Sequence, residues 1–295
     1  MAIINHAIIF VKVANSVRVR EEDGMRLENA GGSIVTAGVY LALRIVVPML
    51  GYGPVPPGLA VVLSIAAFML VQLMLIRYVA SVRVPPKTAA LLAIPPALVA
   101  VGITILLSKV ELPAAVLGAT HGFRDLALML FAALLGQMVS FIVREPNILL
   151  PAAVAAAFVD YWSVTWGPLS HFLEKKLALI EAVSVQIPSI GHATPVSMIG
   201  MGDFVFLALF FAVLYRFRMN VAGTFWLGYV LLTISMLIVL HFRSAMPALV
   251  PICVAVVVAN IRHFKLKRDE ILAIVYGGAF LFAVLFAMWV FFFRR

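Results

Sequence analysis

ILLPAAVAAAFVDYWSVTW (Ile148–Trp166) and MIGMGDFVFLALFFAVLY (Met198–Tyr215) decide how this chain is read. Both are apolar over nearly the length of a membrane-crossing helix, which needs about 20 residues. Each carries one acidic side chain, Asp160 in the first and Asp203 in the second. A carboxyl at membrane depth is unfavourable by several kcal/mol unless it is paired, protonated or facing water, so an isolated one is by default a functional hypothesis.

Working outward, the composition is that of a polytopic membrane protein, with 64% hydrophobic and 12% charged residues. Nine apolar blocks fall at about 33–50, 58–80, 88–107, 124–143, 148–167, 198–217, 222–241, 246–261 and 271–292. Helix breakers or charge separate them, as in GYGPVPP (Gly51–Pro57), VPPK (Val84–Lys87), REPN (Arg144–Asn147) and HFKLKRDE (His263–Glu270). The expected fold is all-α, a polytopic transmembrane bundle of about nine helices. Residues 1–32 read as a cytoplasmic or interfacial tail, because their apolar start is too short to span and lacks a signal-peptide cleavage pattern. Residues 33–295 read as one transmembrane domain. Its longest connection, 168–197, contains an amphipathic stretch, HFLEKKLALIEAV (His171–Val183), suited to the membrane surface.

The net charge of +9 does not imply a nucleic-acid partner, because the basic residues are dispersed at the ends of apolar blocks, where they anchor helices. Tallied over the nine blocks, fourteen Lys and Arg fall on one side and seven on the other, which predicts a cytoplasmic N-terminus. The single cysteine, Cys253, excludes a disulfide framework and a cysteine-ligated zinc cluster. Histidines 121, 171, 192 and 241 show no metal-ligand spacing, and no H-E-x-x-H occurs. No metal or cofactor is expected. Ser163 lacks a Gly-x-Ser setting and a base partner, which argues against a serine protease. Arg44 reads as a snorkelling side chain, and Gln72 and Gln137 as interhelical hydrogen-bond partners.

Asp160 lies six residues before Trp166, and Asp203 five residues after Met198. At a helical rise of about 1.5 Å per residue, both sit roughly 8–9 Å from the same membrane face. Antiparallel neighbouring helices would bring them level. Two adjacent carboxyls cannot both ionise cheaply, so the pair holds a shared proton, the general acid and general base arrangement of aspartic proteases. Gly200 and Gly202 flank Asp203 and remove side chains from the approach to its carboxyl. A third element, MPALVP (Met246–Pro251), begins a later span with two prolines, the second of which would leave carbonyls free to bind peptide or water.

In this order, FVDYWSV, then GMGD (Gly200–Asp203), then a PAL triplet (Pro247, Ala248, Leu249), the elements resemble the GxGD intramembrane aspartyl proteases, the presenilin and signal peptide peptidase family. The resemblance covers Pro146 to about Asn260 and includes Gly167 and Pro168 after the first aspartate. It implies a presenilin-like core over 146–260, Asp160 and Asp203 as the catalytic dyad, and an active site shaped by Gly200, Gly202, Pro247, Ala248 and Leu249. It also implies single-span membrane proteins or leftover signal peptides as substrates. The chain departs from the family in having Val159 where a tyrosine usually precedes the first aspartate, and Val250–Pro251 after PAL. It also has four expected spans before the Asp160 helix and one after the PAL helix.

The expected protein is thus a prokaryotic plasma-membrane enzyme, working alone or as a homo-oligomer in the bilayer. A proton- or cation-coupled transporter would also use paired intramembrane carboxylates, but commonly repeats its broken helices in two halves, and no counterpart of GMGD or MPALVP precedes residue 120. A non-proteolytic family member would keep the same dyad.

Overall fold

The structure, a computed structural model, describes residues 29, 31–50, 56–110, 114–165, 181–190, 192–242 and 246–265, with scattered positions between 268 and 287. The N-terminal tail to residue 28, Gly167, Pro168 and most of the expected amphipathic stretch lie outside the described residues.

The described chain is a helical bundle with one β-hairpin. In order it comprises α1 (Gly31–Met49), α2 (Pro57–Ser81), α3 (Pro86–Lys109), α4 (Ala114–Ser140) and α5 (Leu149–Thr165). Strands β1 (Ser184–Ser189) and β2 (His192–Gly200) follow, then α6 (Met201–Arg216), α7 (Val221–Phe242) and α8 (Leu249–Asn260). A further short apolar helix covers Val275–Val284. Six segments are long and apolar enough to cross a membrane, lying in α1 to α4, in α7 and in Pro146–Thr165, which joins a 3-10 turn to α5, so the chain is an integral membrane protein of the helical-bundle class.

Prolines start α2 and α3, where the missing N–H would have no intrahelical partner. At the bundle centre α2 packs on α4, α6, α7 and β1. Phe68, Met69, Ile76, Phe204, Phe210 and Phe211 are buried there. α3 is peripheral: only 11% of its apolar window is buried, against 56% for α2 and for α4, so most of α3 faces outward from the bundle. Gly136 brings α4 and α6 into backbone contact. An added Cβ there would collide with the Val205 carbonyl and lie 2.7 Å from Ala208 Cβ. Such close approach at small residues is the usual basis of helix association in lipid.

Two departures from the sequence expectation bear on function. The expected span from Met198 begins instead as a strand: β2 runs to Gly200 and α6 starts at Met201. β1 and β2 pair antiparallel, with Ser184 opposite Gly200, so the all-α class gains a hairpin. Its ladder satisfies the backbone groups that an irregular segment would leave bare inside a membrane. β1 is buried throughout against α2 and α4, whereas β2 packs on α6 and α7. The second departure is in α4, expected from residue 124 and observed from Ala114, which carries Arg124 and Asp125 into the helix interior.

α6 and α8 are short, 16 and 12 residues. At about 1.5 Å per residue they extend about 24 and 18 Å, less than the roughly 30 Å hydrocarbon core. Neither is long enough to cross that core alone, and the hairpin leads directly into the start of α6.

Candidate functional site: two aspartates around a proline-started helix

On α5, the buried residues Leu149, Ala153 and Ala156 recur at helical spacing, and Asp160 continues that stripe. The small alanines let α8 approach, and α5 takes its main helix packing from α8, not from α6. The expectation that the two aspartate helices are direct antiparallel neighbours is corrected accordingly. α8 lies between them in the packing, touching α6 as well.

The start of α8 supplies the contact. Pro247, Ala248 and Leu249 are all buried, and Ala248 is the N-cap. Leu249, the first helical residue, has an N–H without an intrahelical acceptor. It donates to Asp160 Oδ2 at 2.9 Å. Pro251 falls within the same first turn, where an N–H would have no intrahelical partner either. Both prolines therefore suit a helix start, and the expectation that the second one frees carbonyls is not needed.

Asp203 occupies the first turn of α6, after the N-cap Gly200. A Cβ on Gly200 would lie 3.4 Å from Asp203 Oδ2, whereas one on Gly202 would meet nothing within 4 Å. Gly200 thus lies against the carboxyl, and Gly202 borders open space. A small pocket is lined by Asp203 together with Ile199, Phe204, Ala248 and Ile252. The PAL segment therefore reaches both aspartates, by the Leu249 N–H to Asp160 and by Ala248 beside Asp203. Both carboxyls are half-buried and within electrostatic reach of each other. Chemically, two such groups with a shared proton can give and take a proton on opposite sides of a bound water.

Val159, at the position where the resembling family usually has tyrosine, is exposed, as is Tyr161, while Trp162 is buried. Ser163 Oγ donates back to the Asp160 carbonyl at 2.9 Å, an ordinary helical bond. Among the described residues no group of three His, Cys, Asp or Glu converges to hold a metal ion. Gln137 of α4 donates to the Val79 carbonyl of α2, an interhelical bond of the kind expected.

A second polar centre was missed from sequence. Arg44 of α1 does not snorkel: it is 3% exposed and lies 3.4 Å from Asp125 Oδ2. Arg124 Nη2 donates to Asp125 Oδ1 at 2.8 Å, and Asp125 is fully buried. Gly118 and Gly122 of α4 form the cradle for Arg44. An added Cβ would lie 3.7 Å from the Arg44 carbonyl at the first and 2.9 Å from Arg44 Cγ at the second. The signal in the sequence was this small-x-x-x-small spacing, GATHG (Gly118–Gly122), one residue short of the Arg–Asp pair.

Comparison with protein-family models, with curated proteins and with solved structures finds no match to this chain.

Proposed function

We propose that the chain is an intramembrane aspartyl protease, with Asp160 and Asp203 as its dyad and single-span membrane proteins or remnant signal peptides as substrates. The observation that carries this reading is the convergence of three separate segments, since the N-terminus of the PAL helix binds Asp160 and borders Asp203. A polar crossing needed only for packing would not require two carboxyls on different helices with an open glycine beside one of them. The order of these motifs, resembling the GxGD family, supports the same reading.

In the proposed reaction the ionised carboxyl takes a proton from a water whose oxygen attacks the scissile carbonyl carbon. The protonated carboxyl donates to the carbonyl oxygen. The gem-diol then collapses: the C–N bond breaks, a proton passes to the leaving nitrogen, and a carboxyl and an amine depart. The dyad is left with one shared proton, as at the start. A helical substrate must unwind locally first, because its amides are already hydrogen-bonded and shielded. The offset of α5 from α6 and the open side of Gly202 would leave room for such a segment.

The test is incubation of the detergent-purified protein with a single-span model substrate, with products read by mass spectrometry, alongside Asp160→Ala and Asp203→Ala. Cleavage within the apolar span, lost in both variants, is expected. Cleavage that survives in either variant overturns the assignment. Absence of cleavage with aspartate-dependent proton flux in liposomes would favour a transporter.

A further inference from the structure

We infer that Asp125, with Arg44 and Arg124, forms a positioning centre that clamps the β-hairpin and thereby sets the aim of Asp203. This inference rests on the protease reading for its catalytic consequence but on geometry alone for the clamp.

The cluster does more than join α1 to α4. Asp125 Oδ2 accepts the backbone N–H of Gln186 at 3.3 Å, Arg124 Nη2 donates to the Ser184 carbonyl at 3.2 Å, and Arg44 Nη2 donates to Gln186 Oε1 at 3.4 Å. All three bonds end on β1. Ser184 is the strand partner of Gly200, and the Met201 N–H donates to the Val183 carbonyl at 3.0 Å, closing the ladder at the start of α6. The path from Arg124 to the Asp203 carboxyl is therefore short: Ser184, then Gly200, where an added Cβ would lie 3.4 Å from Oδ2. β1 has no other charged partner among the described residues, and the clamp grips it at the register that carries Gly200.

A buried ion cluster is weak evidence for stability, because apolar residues of similar volume often serve as well, and such clusters are best attested as devices that specify register. A one-residue slip of β1 against β2 would turn every side chain of the strand to the opposite face and shift Gly200 relative to Asp203. Three charge-assisted bonds to one strand end disfavour that slip.

Two variants of the full-length protein test the clamp. Arg44→Met/Arg124→Met/Asp125→Leu removes all the charges together and leaves no buried ion unpaired. Gln186→Ala removes only the side-chain bond to Arg44. Backbone hydrogen exchange of residues 184–200 is the readout that needs no activity, and kcat and KM for a single-span substrate are the second. The triple variant is expected to remain folded, with exchange of this segment at least tenfold faster. Its kcat should fall at least tenfold with KM within about threefold, and Gln186→Ala should show the same pattern more weakly. Unchanged exchange in the triple variant overturns the clamp. Faster exchange with unchanged kcat overturns its positioning role. If the wild-type protein cleaves nothing, the protease reading and with it the positioning role fall, and exchange alone decides the clamp.

Discussion

The Asp160–Asp203 pair and the Arg44–Asp125–Arg124 cluster are two ways of keeping carboxyls inside a membrane bundle. Asp125 is completely buried and faces two guanidinium groups and a backbone N–H. Asp160 and Asp203 are half-buried, both border the start of α8, and form no salt bridge among the described residues. Compensated charge is suited to holding, because each partner fixes the position of the others. On the protease reading, the carboxyls of Asp160 and Asp203 exchange protons with what enters the site. The same residue type is ion-paired in one place and without a salt bridge among the described residues in the other, and the difference lies in the partners.

That contrast can be broken by substitution. The largest effect is expected at the open pair: Asp203→Asn should reduce substrate cleavage by roughly 10²–10⁴-fold, measured by product formation, while the unfolding transition moves little. The compensated carboxyl should behave in the opposite sense. Asp125→Asn leaves two buried guanidiniums without their counter-charge, and is expected to destabilise the fold by about 3–5 kcal/mol in denaturant titration. If Asp125→Asn were as stable as wild type, the two centres would not differ in the way described.

A smaller effect sharpens the same distinction at the packing level. Gly136→Ala forces α4 from α6 and should cost about 1–3 kcal/mol, read from the same titration. Ala248→Leu would fill the pocket beside Asp203, and is expected to lower kcat/KM on the order of 10-fold with stability near wild type. Smallest in stability is Gly202→Ala, where the Cβ enters open space and better helix propensity adds at most ~1 kcal/mol. On the protease reading its cleavage rate should still fall, because that space is where substrate passes. Wild-type turnover in Gly202→Ala would remove substrate from that side of Asp203.

Much of the membrane class and both aspartates were legible in sequence, because a lone carboxyl in an apolar run stands out at any register. GMGD and PAL were equally visible as short motifs. The hairpin was not, since an apolar stretch such as PVSMIG (Pro195–Gly200) has no periodicity that separates a buried strand from the first turns of the following helix. Arg124 stands at the start of the expected 124–143 span, because its charge interrupts the apolar run before it. The apolar run from Ala114 shows that the helix had begun ten residues earlier.

By itself the sequence determined the membrane-bundle class and the places where carboxyls interrupt apolar segments, because hydrophobic length and isolated charge are local properties of the chain. Only the tertiary structure decided which charges are compensated by an ion pair and which carboxyl meets a helix N-terminus instead. Arg44 lies 81 residues before Asp125, and Leu249 lies 89 residues after Asp160, so their pairing depends on how helices pack, which no local pattern encodes.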